Sequence, residues 1–162
     1  MAGNWQMVAI VAGLVVLAMI VGAFAGIRLR AALRRAALVR ARREFRRQRE
    51  HLEAKFFDLA AASGKPRGLR WASCDFENHV AYARDRQTGD LIAFVGVAIG
   101  FEAIEGGDME EVEAVGNIRA ATAVFQYAQS WRTEGRAIFN LNPNEAIDRF
   151  HASLELVHDD PR

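Results

Sequence analysis

A single cysteine, Cys74, stands in the whole chain, so an intrachain disulfide framework is excluded and stability has to come from packing. Lysine is almost as scarce, with only Lys55 and Lys65 beside abundant arginine and alanine, the residue usage of a GC-rich bacterial genome. Several catalytic signatures are also missing. There is no G-x-S-x-G, no H-E-x-x-H and no C-x-x-C, and Gly96-x-x-x-Gly100 lacks the Lys-Ser/Thr that would make it a phosphate loop. The acidic stretch Glu102–Glu113 lacks the D-x-[DN]-x-[DN]-G spacing of an EF-hand, which leaves an exposed solvating loop as its reading. These gaps exclude the common nucleotide, zinc-protease, serine-hydrolase and thiol-redox chemistries as readings of motif.

The most consequential absence is charge. From Trp5 to Ile27 no side chain is ionisable. As a helix this stretch reaches roughly 34 Å at about 1.5 Å per residue, enough for a hydrocarbon core of about 30 Å. A soluble buried helix of that length would show a polar face, and this one shows none. A cleaved secretory signal would want a positive n-region and a shorter apolar core; here no Lys or Arg precedes the run and a dense arginine block follows it. The stretch 5–27 is therefore expected to be a transmembrane helix.

Ten arginines lie between Arg28 and Arg49, and none precedes the span. Positive flanks stay in the cytoplasm, so residues 1–4 are expected outside and the rest of the chain inside, across the plasma (inner) membrane of a bacterium. Trp5 falls where an interfacial anchor belongs. Ala18, Gly22 and Gly26 are four apart, a spacing that lets two membrane helices approach closely and so suggests a homodimer, although Gly and Ala are common in such helices in any case.

Residues 28–62 contain neither Pro nor Gly and are rich in good helix formers, so the helix is expected to continue as a basic stalk until Ser63-Gly64-Lys65-Pro66 punctuates it. Leu38, Phe45, Leu52 and Leu59 recur every seven residues, but the companion positions are Ala41, Gln48 and Lys55, or Arg42, Arg49 and Phe56. That gives weak coiled-coil character and leaves docking on the chain's own domain as an equal reading. The arginines serve as a stop-transfer flank, and those nearest the membrane, Arg28, Arg30, Arg34 and Arg35, are candidates for contact with anionic headgroups. Nucleic acid is a poor fit because no aromatic platform is interleaved with the basic residues.

Charge divides the chain. Residues 28–70 carry a net +10 and residues 71–162 a net −9. After a linker at 63–67, the texture of 68–157 is that of a small α+β domain: an antiparallel sheet of about five strands with a C-terminal helix packed on it. The strands are expected at Leu69–Phe76, His79–Arg84, Leu91–Ile104, Ala121–Trp131 and Arg136–Leu141. The third is apolar on both faces and therefore central, with Gly96 and Gly100 marking bulges, bends or close packing. Turns are expected at Gln87–Asp90 and Thr133–Gly135. In Asn142-Pro143-Asn144-Glu145 a cap, a proline at the first helical position and a glutamate at the third make a strong helix start. Ala146, Ile147, Phe150, Leu154 and Val157 then form one apolar stripe, and 158–162 reads as a frayed tail.

Candidate chemistry is thin. Asp75, Glu77 and His79, with Cys74 adjacent, are metal-capable and would share a strand face by alternation. A turn at Phe76–Asn78 would break that face, and one Cys with one His is a poor zinc set. Cys74 as a nucleophile would have His79 as its only near base. Trp71, Tyr127 and Trp131 suit either a ligand groove or the core. No metal or cofactor is expected. The sequence thus leaves two functional readings: a membrane-anchored, non-enzymatic module that presents an acidic domain to a cytoplasmic protein, or a small tethered enzyme or ligand-binding domain with its site near Cys74–His79 or among the three aromatics.

Overall fold

The computed structural model describes residues 3–63, 68–106 and 118–158, with side chains from Met7 onward. The linker 64–67, most of the acidic loop, the side chain of Trp5 and the end of the tail lie outside the described residues. A single helix, α1, runs from Gly3 to Ser63, and the chain divides into two compact units, Met1–Arg43 and Glu44–Arg162.

From Met7 to Ile27 the apolar side chains of α1 are uncovered on every side: Met7 is 69% exposed, Leu14 61% and Phe24 64%. One helix is therefore long and apolar enough to cross a membrane. The arginines from Arg28 to Arg35 are likewise exposed.

The second unit is an antiparallel sheet with helix on both faces. Its strands are β1 (Leu69–Asp85), β2 (Leu91–Ala103), β3 (Arg119–Tyr127), β4 (Trp131–Arg132), β5 (Ala137–Phe139) and β6 (Leu154–Leu156), with a short helix α2 (Pro143–Arg149) before the last. The order is β4-β3-β2-β1-β6, and β5 pairs with β3 beyond β4. β2 is central, and both its faces are buried as its unbroken apolar run implies.

One face of the sheet is covered by the last turns of α1. Phe45, Leu52, Phe56 and Ala60 are all but fully buried. Phe45 meets Trp131 at 4.7 Å and Phe125 at 5.4 Å between ring centroids, and Phe56 meets Phe76 at 5.6 Å. Edge-on aromatic pairs of this kind each add about 0.5–1.5 kcal/mol beyond the area they bury. The compact unit consequently starts at Glu44, ahead of the sequence-based boundary at residue 68. The buried stripe also departs from a heptad: Leu59 is 36% exposed, whereas Phe56 and Ala60 face the sheet. A straight helix drifts about 20° per heptad, so a flat partner selects positions three or four apart rather than a strict seven. Gly135, at φ 71, sits against the end of this helix; a Cβ there would lie 2.5 Å from the Ala60 backbone nitrogen.

The opposite face holds a smaller core of Ala81, Ala83, Ile92, Phe94 and Val124 under Ala146, Ile147 and Leu154. α2 begins as its sequence demands: the Asn142 side chain accepts the Glu145 N–H at 2.9 Å, and the Glu145 carboxylate accepts the Asn142 N–H at 2.9 Å. It ends earlier than its apolar stripe suggests. Leu154 belongs to β6, where it pairs with Asp85, and the Arg86 Nε donates to the Leu154 carbonyl at 3.1 Å. The edge of β1 at Ala83–Asp85 offers unpaired backbone, and Leu-Glu-Leu closes it as a strand.

Two further expectations change. The segments Leu69–Phe76 and His79–Arg84 are one strand, interrupted by an irregularity rather than a turn. The reversal after β3 comes at residues 128–130, because Tyr127 pairs with Trp131; Thr133–Gly135 is a bulge in the returning chain, where the buried Thr133 hydroxyl donates to the Val124 carbonyl at 3.1 Å. The turn between β1 and β2 is as expected. There the Asp85 carboxylate accepts the N–H groups of Thr88 at 2.9 Å and Gln87 at 2.7 Å, which hold its carboxyl below the usual carboxylate range.

Candidate functional site

The irregularities of β1 fall opposite the glycines of β2. Ser73 pairs with Gly100 next to a register shift. Between the pairs Phe76↔Val97 and Val80↔Val95, the three residues Glu77, Asn78 and His79 stand against Gly96 alone. Extra residues leave ladder groups without sheet partners, and something else has to satisfy them. Arg49 does so from the helix side: its guanidinium donates to the carbonyls of both Glu77 and Asn78, the latter at 3.1 Å. The Arg49 Nε is oriented in turn by the Glu53 carboxylate at 2.6 Å. Arg49 occupies the sheet-facing stripe of α1, between Phe45 and Leu52, where an apolar residue would otherwise pack.

Alternation past Asp75 and Phe76 puts the Glu77 side chain on the face that carries α2, at the start of the bulge. Its carboxylate lies directly on the Gly96 backbone, so close that a Cβ at residue 96 would fall 2.4 Å from one oxygen and 2.9 Å from the other. Among the described residues no donor is bonded to this carboxylate. It forms one wall of a cleft of about 340 Å³. Gly96, Ala98 and Ala120 make a floor of small residues, and the far wall is Asn140 to Asn142 with Glu145. That wall is fixed on two sides. Thr122, fully buried beneath it, donates its hydroxyl to the Leu141 carbonyl at 2.7 Å, and the capping box holds Asn142 and Glu145. Asn140 adopts the left-handed conformation at φ 59, which a short amide side chain tolerates better than most.

The residues singled out in the sequence are dispersed. Asp75 lies opposite Ala98 on the cleft face with Glu77, whereas Cys74 lies on the other face, in a shallow depression beside Glu53, Phe57 and Asp58. His79 is exposed within the bulge. Among the described residues no three His, Cys, Asp or Glu side chains gather at one point. Burial first, and then the neighbouring Asp75 charge, push the Cys74 thiol up to about 11, so at neutral pH it is a protonated, unreactive thiol. Trp71 and Trp131 are buried, and with Tyr127 they pack against aromatic neighbours; the Tyr127 hydroxyl donates to the Glu44 carboxylate at 3.3 Å. In the first unit, Arg28, Arg30, Arg34 and Arg35 project outward, and a Cβ at Gly22 or Gly26 would meet nothing within 4 Å.

The expectation of a bulge or close packing at Gly96 holds, with the Glu77 carboxylate as the group that packs on it, whereas sequence reasoning missed Arg49 and Asn140. One signal pointed to Arg49: a charged residue interrupting an apolar helical stripe. Nothing local marked Asn140.

No protein family, characterised protein or solved structure matches this chain.

Proposed function

We propose that this chain is a single-pass protein of a bacterial inner membrane that presents a small acidic α+β domain to a cytoplasmic protein, acting by binding rather than by catalysis. The observation that carries this reading is the uncovered apolar surface of α1 from Met7 to Ile27, followed at once by exposed arginines. An apolar surface of that extent is stable only when lipid or protein covers it. Its flank supports the orientation with the N-terminus outside. Arg28, Arg30, Arg34 and Arg35 are placed to meet anionic headgroups, at about 1 kcal/mol for each cation near the surface. Ala18, Gly22 and Gly26 supply a face on which two copies of the span can pair. The acidic character of residues 71–162 suits a partner with basic surface.

The second reading, a ligand-binding domain, is favoured by the cleft over Gly96, a concave site that Cys74, Trp71, Tyr127 and Trp131 do not line.

One experiment tests the first reading in cells. The full chain carries a fluorescent reporter after Arg162 that matures only in the cytoplasm, and a photo-crosslinking residue in place of the exposed Phe139. Membrane-localised fluorescence is expected, together with a discrete crosslinked species that disappears when residues 5–27 are replaced by a soluble helix. A dark, exported reporter refutes the orientation. A crosslinked species that survives loss of the anchor refutes presentation at the membrane.

A further inference from the structure

We propose that the cleft over Gly96 is a seat for an arginine side chain of a protein partner, with Glu77 as the residue that binds the guanidinium and Arg49 as the residue that positions Glu77. The inference rests on the binding-module reading and names the chemistry of its contact.

The observations bear on one place from independent directions. A three-residue bulge interrupts the ladder of β1, and a guanidinium from the opposite face of the sheet is used to hold it. Strand alternation places the exposed Glu77, whose carboxylate no described residue pairs, on the wall of a concave site, and the clamp on its carbonyl fixes the backbone that carries it. The facing position is glycine, and any side chain there would displace that carboxylate. The floor of Gly96, Ala98 and Ala120 has no side chain larger than a methyl group, which leaves a slot where the aliphatic stem of a long cation can lie. Across the slot stands the Glu145 carboxylate, fixed by the capping box. The volume of about 340 Å³ is at the small end of ligand sites, the size for one side chain rather than a cofactor. Carboxylates on both walls match the planar, multi-donor guanidinium better than a point-like ammonium. The net −9 of residues 71–162 adds a field that draws basic segments toward the domain.

The test uses the full-length protein in zwitterionic detergent and a fluorescein-labelled Gly-Ser-Arg-Ser-Gly peptide, with the neutral citrulline peptide as its control. Anisotropy is expected to show the arginine peptide binding about tenfold tighter or more, the scale of a charge-assisted hydrogen bond. Glu77→Gln removes that preference, and so does Gly96→Ala, which keeps the carboxylate but lifts it from its seat. Glu102→Gln, which neutralises an exposed carboxylate paired with Arg70 at 2.7 Å, leaves binding unchanged and so separates a specific seat from diffuse attraction. Amide chemical shifts of the unmodified protein give a readout that needs no variant: the arginine peptide is expected to move Gly96, Asn140 and Asn142. Equal binding of the citrulline peptide overturns the proposal, as do equal effects of the Glu77 and Glu102 substitutions or shifts confined to other residues. Such a failure leaves the membrane-module reading standing, because the cellular crosslinking does not involve this peptide.

Discussion

Two stretches of one helix behave as opposites. From Met7 to Ile27, α1 is apolar on every side and covered by nothing; from Glu44 to Ser63 it is charged on most of its surface, yet Phe45, Leu52, Phe56 and Ala60 disappear into a sheet. The backbone is the same in both, and so are the hydrogen bonds along it. What differs is the angular distribution of apolar side chains. An all-round apolar helix has no preferred face, so only a continuous apolar solvent or a ring of partners satisfies it. A single apolar stripe aims the helix at one surface and leaves the remaining turns in water.

Three experiments sharpen or break that contrast. The largest effect is expected from removing the striped stretch. A chain beginning at Gly68 loses the cover of Phe125, Trp131 and Phe76 and is expected not to fold cooperatively, whereas one beginning at Glu44 unfolds in a single denaturant transition. Burial of each large apolar side chain contributes about 1.5–3 kcal/mol, so losing Phe45, Leu52 and Phe56 together rivals the total stability of a domain, about 5–15 kcal/mol. A cooperative, soluble chain from Gly68 would mean that the helix decorates the sheet rather than completing it.

The next effect belongs to the apolar stretch. Leu14→Arg is expected to cost about 2.5–3.5 kcal/mol in membrane insertion, read as the fraction of protein retained in the bilayer after carbonate extraction. The same substitution should leave the denaturant midpoint of the sheet unit unchanged. A shift in that midpoint would show that the two stretches are not independent.

The smallest effect tests the one charged position on the buried stripe. Arg49→Met keeps the volume and removes the donors to the carbonyls of Glu77 and Asn78, at an expected cost of about 1.5–3 kcal/mol. Hydrogen exchange at residues 77–79 should accelerate more than in the rest of β1. Unchanged exchange there would mean that the bulge holds without its clamp.

Much of this architecture was legible in the chain. Absence of charge marked Trp5–Ile27, an unbroken apolar run marked the central strand, and Asn142-Pro143-Asn144-Glu145 marked a helix start that has the expected capping bonds. Each of these signals is complete within a few residues of sequence. The failures share the opposite property. Leu154 fits a helical stripe and a strand equally well, and the unpaired edge of β1 decided between them. The seven-residue recurrence of Leu38, Phe45, Leu52 and Leu59 resembles a zipper until a sheet is supplied as the partner. Phe76–Asn78 reads as a turn from its residues, and only pairing with β2 on both sides of the irregularity shows that the strand continues.

The sequence by itself determined where the chain is apolar without relief, where charge of each sign collects, and where helices begin, since these depend on side-chain solvation and on bonds spanning three or four residues. The tertiary structure alone decided which face of the helix the sheet would cover and that Glu77 would rest on Gly96. It also decided that Arg49 would spend its charge on a bulge. Those outcomes depend on which surfaces meet across a long stretch of chain, and no local pattern encodes that meeting.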